Sequence, residues 1–416
     1  MKKVLFLTRS YPNARRSATI QCSHRVINCM KNSGRYEIHT LCLQYNGENE
    51  DEIVNGIYVH RVKPFWGQCF FYNIEKKNRL SRFIEVMQKM ATIPFYPNTQ
   101  PLTTKLYTTA AVNLMKKVNF DIVLSEHHGL MTLIAGCRLM EDNKNLKHIA
   151  FLWDPLKGEM RTKYLPSSFT ERKVEQLEQY VAKQTSLEVS MAIMKNFFEK
   201  KGDIASDHRI FLDIPTLLQP EKEVNTDNLM LLKEGSINIV FSGKLSISER
   251  NPLPVIDLLN KSKEAERINL IFFSMGSKEA IENAAKRFKG SILYHDYISL
   301  DELHTIYRRA DYLLNISHIN PNMVPSKIFE YMSYGKPILS FFVSDGDAAE
   351  SCIRQYPEGL CIDLKRDDKD NIDMINNFFE AMHKIVPFEF VKQTFSNNTP
   401  EAYLRVIDRF CSYNDY

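Results

Sequence analysis

Short apolar runs alternate with helical spacings of apolar residues along nearly the whole chain, and this alternation predicts an α/β fold built on parallel strands. Residues 4–8 form the first run, a helical spacing follows over about 19–31, and a second run covers 37–43; together they predict a βαβ opening. Further strands are predicted over 120–125, 148–153 and 187–191, with an apolar helix over 130–140. The pattern restarts at 237–245, a buried strand ending in Gly243-Lys244, with Arg250 in the next loop and a helix from about Pro252. Strand 268–275, helix 278–288, strand 292–295, helix 300–310 and strand 312–316 then alternate regularly. Ser299 and Glu302 have the spacing of a capping box at the start of the helix over 300–310.

A chain of 416 residues can hold two domains of about 200 residues, each with its own core. The two alternating halves place them at 1–215 and 236–395, joined by a polar linker over 216–235 and followed by a closing segment, 396–416, that contains a helix over 400–410.

One stretch carries more chemistry than the rest. Over 322–339 the chain reads as loop, helix, tight stop and strand. Ser326 is a suitable N-cap, and Gly335 with Pro337 supplies the stop before the apolar run 338–343. A helix start offers unpaired backbone N–H groups and the positive end of the dipole, which suits phosphate. Glu330 shares a face with Ser326, whereas Ile328 and Met332 share another that can enter the core. A carboxylate one turn inside a phosphate-binding helix suits sugar hydroxyls. Lys244 and Arg250 add two cations after the first strand of this half.

Composition changes the picture little. The formal charge is +4, with 44% hydrophobic and 25% charged residues, as in an ordinary soluble globular protein. That balance does not call for nucleic acid, and no nucleic-acid module accompanies it. The charge is uneven, however: from Arg61 to Lys117 ten basic residues face only Glu75 and Glu85. Within that run, residues 65–83 interleave aromatic and basic side chains. They read either as a patch for an anionic membrane surface or as an ordinary loop and amphipathic helix. The eight cysteines have no zinc or C-x-x-C spacing and read as reduced thiols. The apolar run at the N-terminus ends too soon for a signal peptide, and no stretch reaches transmembrane length. The expected location is therefore the cytoplasm, peripheral at the inner face of the plasma membrane if the aromatic and basic patch binds lipid.

The segment Pro325-Ser326-Lys327-Ile328-Phe329-Glu330-Tyr331-Met332-Ser333-Tyr334-Gly335-Lys336-Pro337-Ile338 resembles the donor-binding helix of GT-B glycosyltransferases, particularly the retaining group called family 4 (glycosyltransferase group 1). The resemblance implies two Rossmann-like domains facing each other across a cleft, the first on the acceptor side and the second holding a nucleotide sugar, with the C-terminal helix crossing back onto the first. It implies that Glu330 holds the ribose, that the backbone near Tyr297 and Ile298 pairs with the base, and that Asn322, Met323 and Val324 reach the sugar and diphosphate. Ser326, Lys327 and Gly243 complete the donor side. In the family an Arg and a Lys stabilise the leaving diphosphate; here the order is Lys244 then Arg250. The family commonly has a second Glu where this chain has Asn322, and a Gly-rich first loop where it has Ser17-Ala18-Thr19.

Polar residues at the carboxyl ends of parallel strands sit where ligands bind in such folds. Arg9, Thr19 and Asp154 are acceptor-side candidates, and the family's sugar-contacting His corresponds to His127, with Glu126 as the other register. The implied reaction is retaining transfer of a sugar from a UDP- or GDP-sugar to a glycan or lipid-linked acceptor, as in surface polysaccharide biosynthesis, with neither metal nor other cofactor. A non-catalytic binding subunit and a nucleotide-sugar epimerase are the alternatives. Asp345-Gly346-Asp347 matches a metal-binding Asp-x-Asp by spacing but falls where a loop is expected, and no Gly-x-Gly-x-x-Gly follows the first strand, which disfavours a dinucleotide enzyme.

Overall fold

The computed structural model describes residues 1–13, 17–45, 47–64, 87, 90–127, 129–143, 145–153, 156, 165–192, 195, 208–220, 223–320 and 326–413. The chain divides into two compact units, Met1–Pro215 with Pro400–Tyr416, and Thr216–Thr399.

The first unit opens with β1 (Lys2–Leu7), α1 (Ala18–Asn32) and β2 (Tyr36–Leu43). A hairpin of β3 (Asp51–Val54) and β4 (Ile57–Val62) follows, and then α2 (Pro101–Met115), β5 (Ile122–Glu126), α3 (Leu130–Asp142) and β6 (Lys147–Leu152). Helix α4 (Ser167–Gln184) and strands β7 (Leu187–Met191) and β8 (Arg209–Leu212) come next. The strand order is β3-β4-β2-β1-β5-β6-β7-β8, parallel except for the hairpin. Asn55 and Gly56 turn that hairpin with φ of 51° and 76°, the positive pair that a type I′ turn requires.

Strand β1 shows why the apolar runs read as they do. Val4 and Phe6 point into one buried cluster, with α1, and Leu5 and Leu7 into another, with α2 and α3. A parallel sheet covered on both faces has no polar side to show.

Arg61 corrects the basic run of the sequence. Its side chain is almost wholly buried, forms ion pairs with Glu48 and Glu52, and donates to the carbonyls of Asn49 and Tyr11 at 2.8 and 3.1 Å. It is an internal staple and adds nothing to a basic surface.

The second unit comprises β9 (Ile237–Lys244), α5 (Leu253–Lys261), β10 (Ile268–Met275), α6 (Lys278–Ala285), β11 (Ser291–His295), α7 (Leu300–Arg309) and β12 (Tyr312–Ile316). It continues with α8 (Lys327–Ser333), β13 (Ile338–Phe342), α9 (Ala348–Ile353), β14 (Gly359–Asp363), α10 (Asp368–Glu380) and α11 (Phe388–Thr394). Every strand pair is parallel, in the order β11-β10-β9-β12-β13-β14. The order reverses between β9 and β12, and that switch point is where doubly wound sheets bind ligands.

The capping box of α7 is present, with Ser299 and Glu302 bonding each other's backbone. Thr226 donates to Glu302 at 2.8 Å and Val224 N–H to Thr305 at 3.0 Å, so this part of the 216–235 stretch lies along α7. Gly335 ends α8 with φ of 67°, and a Cβ there would lie 2.4 Å from the Val386 carbonyl oxygen, so both conformation and space demand glycine.

The last helix, α12 (Pro400–Tyr413), belongs to the first unit. Tyr36 donates to Asp408 at 2.7 Å, Arg35 pairs with Asp408 at 2.8 Å, and Tyr403 donates to the Asp213 carbonyl at 2.9 Å. None of the described helices is long and apolar enough to cross a membrane.

Candidate functional site

In the second unit the candidate residues gather at the carboxyl end of β9. Ser242 is the anchor: its N–H donates to the Tyr331 hydroxyl at 3.1 Å, and its own hydroxyl is in short contact with the Tyr307 hydroxyl. Both tyrosines are fully buried, and burial pushes the Tyr331 phenol up to about 12. Neither ionises in the neutral range, so they act as neutral donors and acceptors that join β9, α7 and α8.

Gly243 follows with φ of 148°, and a guanidinium nitrogen of Arg250 lies 3.7 Å from where a Cβ would stand on it. Arg250 is half-buried; burial lowers its pKa below the ordinary arginine value, while Tyr331, Tyr297 and Asp347 oppose that shift. The side chain of Lys244 is exposed at the strand end. The structure therefore brings Gly243 and Arg250 together, with Tyr297 nearby, and sets Lys244 one residue beyond. Tyr297 and Ile298 are half-buried in the loop after β11.

Glu330 lies on α8 with its side chain 11% exposed. His304 Nε2, on α7, is 3.2 Å from one carboxylate oxygen, and Lys327 Nζ is 3.8 Å from the other. Lys327 also donates to the Tyr307 hydroxyl at 3.3 Å. A polar chain thus runs from His304 through Glu330, Lys327 and Tyr307 to Ser242. His304 and Tyr307 escaped the sequence reading, although their three-residue spacing on a helix with a capping box puts them on one face.

Ser326 departs from its predicted role as N-cap. Its φ and ψ of −55° and −27° are already helical, and its hydroxyl makes no capping bond. Its carbonyl instead accepts from the Thr216 hydroxyl at 2.9 Å. Asn322, Met323 and Val324 lie outside the described residues, as do Asp154 and residues 65–83. Asp345 and Asp347 diverge: Asp347 is 2% exposed, caps α9 through the N–H groups of Ala349 and Glu350, and accepts from Ser317, whereas Asp345 pairs with Lys365. An aspartate committed to a helix cap explains the chance Asp-x-Asp spacing.

In the first unit the strand order reverses between β1 and β5, and there the Thr8 hydroxyl donates to Glu126 at 2.5 Å. The Glu126 carboxyl is completely buried, and that burial lifts its pKa to about 7 against the hydrogen bonds of Ser23, Thr8 and the Arg9 backbone. Its side chain is thus turned into the unit. His127 follows the strand, 2% exposed, with its N–H on the Phe151 carbonyl at 2.8 Å. Arg9 is half-buried and its carbonyl accepts from Leu43 N–H. Thr19, in the first turn of α1, has its hydroxyl 3.0 Å from that of Ser17, and Ser23 accepts from the Trp153 indole at 2.9 Å.

No protein-family profile matches the chain, and no curated protein matches it by sequence. Solved structures do match. A sucrose-phosphate synthase from Thermosynechococcus elongatus superposes with a TM-score of 0.66 at 10% identity, covering 99% of both chains. An α,α-trehalose-phosphate synthase (UDP-forming) from Burkholderia xenovorans, in complex with glucose-6-phosphate, gives 0.61 at 10% identity over 98% of this chain and 99% of its own. Anabaena HepE, in complex with UDP and glucose, gives 0.58 at 12% identity over 98% and 100%. These likenesses span both units from end to end, and with two parallel, doubly wound sheets in the chain they establish its architecture: this protein has the GT-B fold, two Rossmann-like units in one chain.

Proposed function

We propose that this protein is a retaining glycosyltransferase that moves a sugar from a nucleotide-sugar donor, UDP- or GDP-linked, to a glycan or lipid-linked acceptor, as in surface polysaccharide assembly. The observation that carries the reading is the clustering in one unit of a held carboxylate, Glu330, with the cations Lys327, Arg250 and Lys244 near the switch-point end of β9.

Transfer breaks the bond between the anomeric carbon and the diphosphate, and negative charge grows on the leaving group. Fixed cations aimed at that charge lower the barrier. Arg250 can grip two phosphate oxygens, and Lys244 acts as a point charge. Glu330 takes the ribose hydroxyls, and the loop at Tyr297 and Ile298 takes the base. With those cations on the diphosphate, the chemistry calls for no metal. The leaving phosphate helps to remove the acceptor proton, so no dedicated carboxylate base is needed. His127, Arg9, Thr19 and Asp154 are assigned to the sugar and acceptor side.

A panel of UDP-, GDP- and dTDP-sugars tests the reading, with transfer or slow donor hydrolysis as the expected result. Absence of both would sink it, and conversion of the donor to an epimeric nucleotide sugar with no acceptor present would identify an epimerase instead. A peripheral membrane location through residues 65–83 is a separate proposal. Co-sedimentation with anionic liposomes tests it, and absence of binding returns that stretch to an ordinary surface.

A further inference from the structure

We propose that His304 is a positioning residue for nucleotide binding: its Nε2–H holds the Glu330 carboxylate in the orientation that takes a pair of adjacent hydroxyls, and so sets the preference for a ribonucleotide over its 2′-deoxy form. The inference rests on the assignment of Glu330 to the ribose made above.

The geometry holds Glu330 from two sides. His304, from α7, is 3.2 Å from Oε1, and Lys327, from α8 itself, is 3.8 Å from Oε2. Lys327 is in turn fixed by its 3.3 Å bond to the Tyr307 hydroxyl, which pairs with Ser242. Among the described residues, His304 lies within hydrogen-bond distance of one carboxylate oxygen and Lys327 forms an ion pair with the other, and a carboxylate oxygen accepts more than one hydrogen bond. Two acceptors side by side suit two vicinal hydroxyls, each of which donates one proton.

The tautomer of His304 follows from its surroundings. Its Nδ1 is buried and has no hydrogen-bond partner among the described residues. A buried N–H without an acceptor costs more than a bare ring nitrogen in an apolar setting, so the proton resides on Nε2. The ring packs against the adjoining rings of Tyr307 and Tyr334, with centroids 6.3 and 6.0 Å away, and those two lie 5.6 Å from each other. Packing against that pair restricts its rotation. Glutamate has three side-chain torsions, and holding them before the ligand arrives removes part of the ordering cost of binding.

The test compares His304→Gln, whose amide N–H can reach the position of Nε2, with His304→Leu, which fills the space and donates nothing; Glu330→Gln is the control. Dissociation constants are measured for UDP, GDP, dUDP and dGDP, with the unliganded melting temperature of each variant as the check of folding. The expected result is a ribonucleotide preference in the wild type and in His304→Gln, and its loss, by about tenfold, in His304→Leu and Glu330→Gln. If His304→Leu does not fold, His304→Gln decides: wild-type preference supports the inference, and loss of preference overturns it. Retention of the preference in folded His304→Leu while Glu330→Gln loses it would overturn the role of His304 and leave Glu330 on the ribose. No nucleotide binding by the wild type, or no effect of Glu330→Gln, would overturn both.

Discussion

The Ser242 amide donates to the Tyr331 hydroxyl at 3.1 Å, and that bond fastens α8 to the carboxyl end of β9. Tyr307 reaches the same residue from α7, so three elements remote in sequence converge on one serine. The position of Glu330, one residue before Tyr331, depends on that convergence.

Tyr331→Phe should therefore destabilise the second unit and misplace Glu330. It leaves the buried Ser242 N–H without its partner, which costs about 1–3 kcal/mol. Urea unfolding measures the loss, and titration with nucleotide should show weaker binding in the same variant. Stability equal to wild type would mean that the hydroxyl contributes nothing to the tether.

Glu126 predicts a pH effect on stability. Its pKa is raised to about 7 in the folded state, so the folded protein binds this proton more tightly than the unfolded chain does. Its contribution is fully present below the unfolded carboxyl value and is lost as pH rises through about 7. Glu126→Gln keeps the shape and removes the proton. Relative to that variant, wild type should lose up to about 3 kcal/mol between pH 4.5 and 7.5. Parallel stability profiles of the two proteins would refute the claim.

Lys244→Ala separates binding from turnover. An exposed cation at the strand end that acts on charge developing in the transition state should matter little to bound nucleotide and much to rate. We expect a fall in kcat of about a hundredfold, with nucleotide affinity within about threefold of wild type. Equal losses in both would place Lys244 on the ground-state phosphate only.

Arg61→Met tests the internal staple. Removal of the guanidinium takes the cation away from Glu48 and Glu52 and frees the Tyr11 carbonyl that it holds. Because the guanidinium is buried while its two carboxylates are partly exposed, the loss should fall between the exposed and fully buried limits, at about 2 kcal/mol. Thermal unfolding should show it, and a drop under about 0.5 kcal/mol, the scale of an exposed ion pair, would return Arg61 to the surface.

Much of the fold was legible from local pattern. Strands β7, β10 and β12 and the start of α7 lie where periodicity and the capping box placed them, because buried parallel strands are short apolar runs and helix starts have side-chain signatures. The hairpin of β3 and β4 was missed although Asn55-Gly56 signals it, since β3 is short and largely exposed and a charged residue, Arg61, fills one of the buried positions of β4.

The sequence by itself determined the βα alternation and the family-like stretch around Glu330, because both are written in residues close together along the chain. Only the tertiary structure decided the sheet order with its reversal beside Ser242, the pairing of His304 with Glu330 across 26 positions, and the burial of Arg61. Periodicity reports which face of an element is apolar. It does not report which element that face will meet, and each of those three features depends on such a meeting.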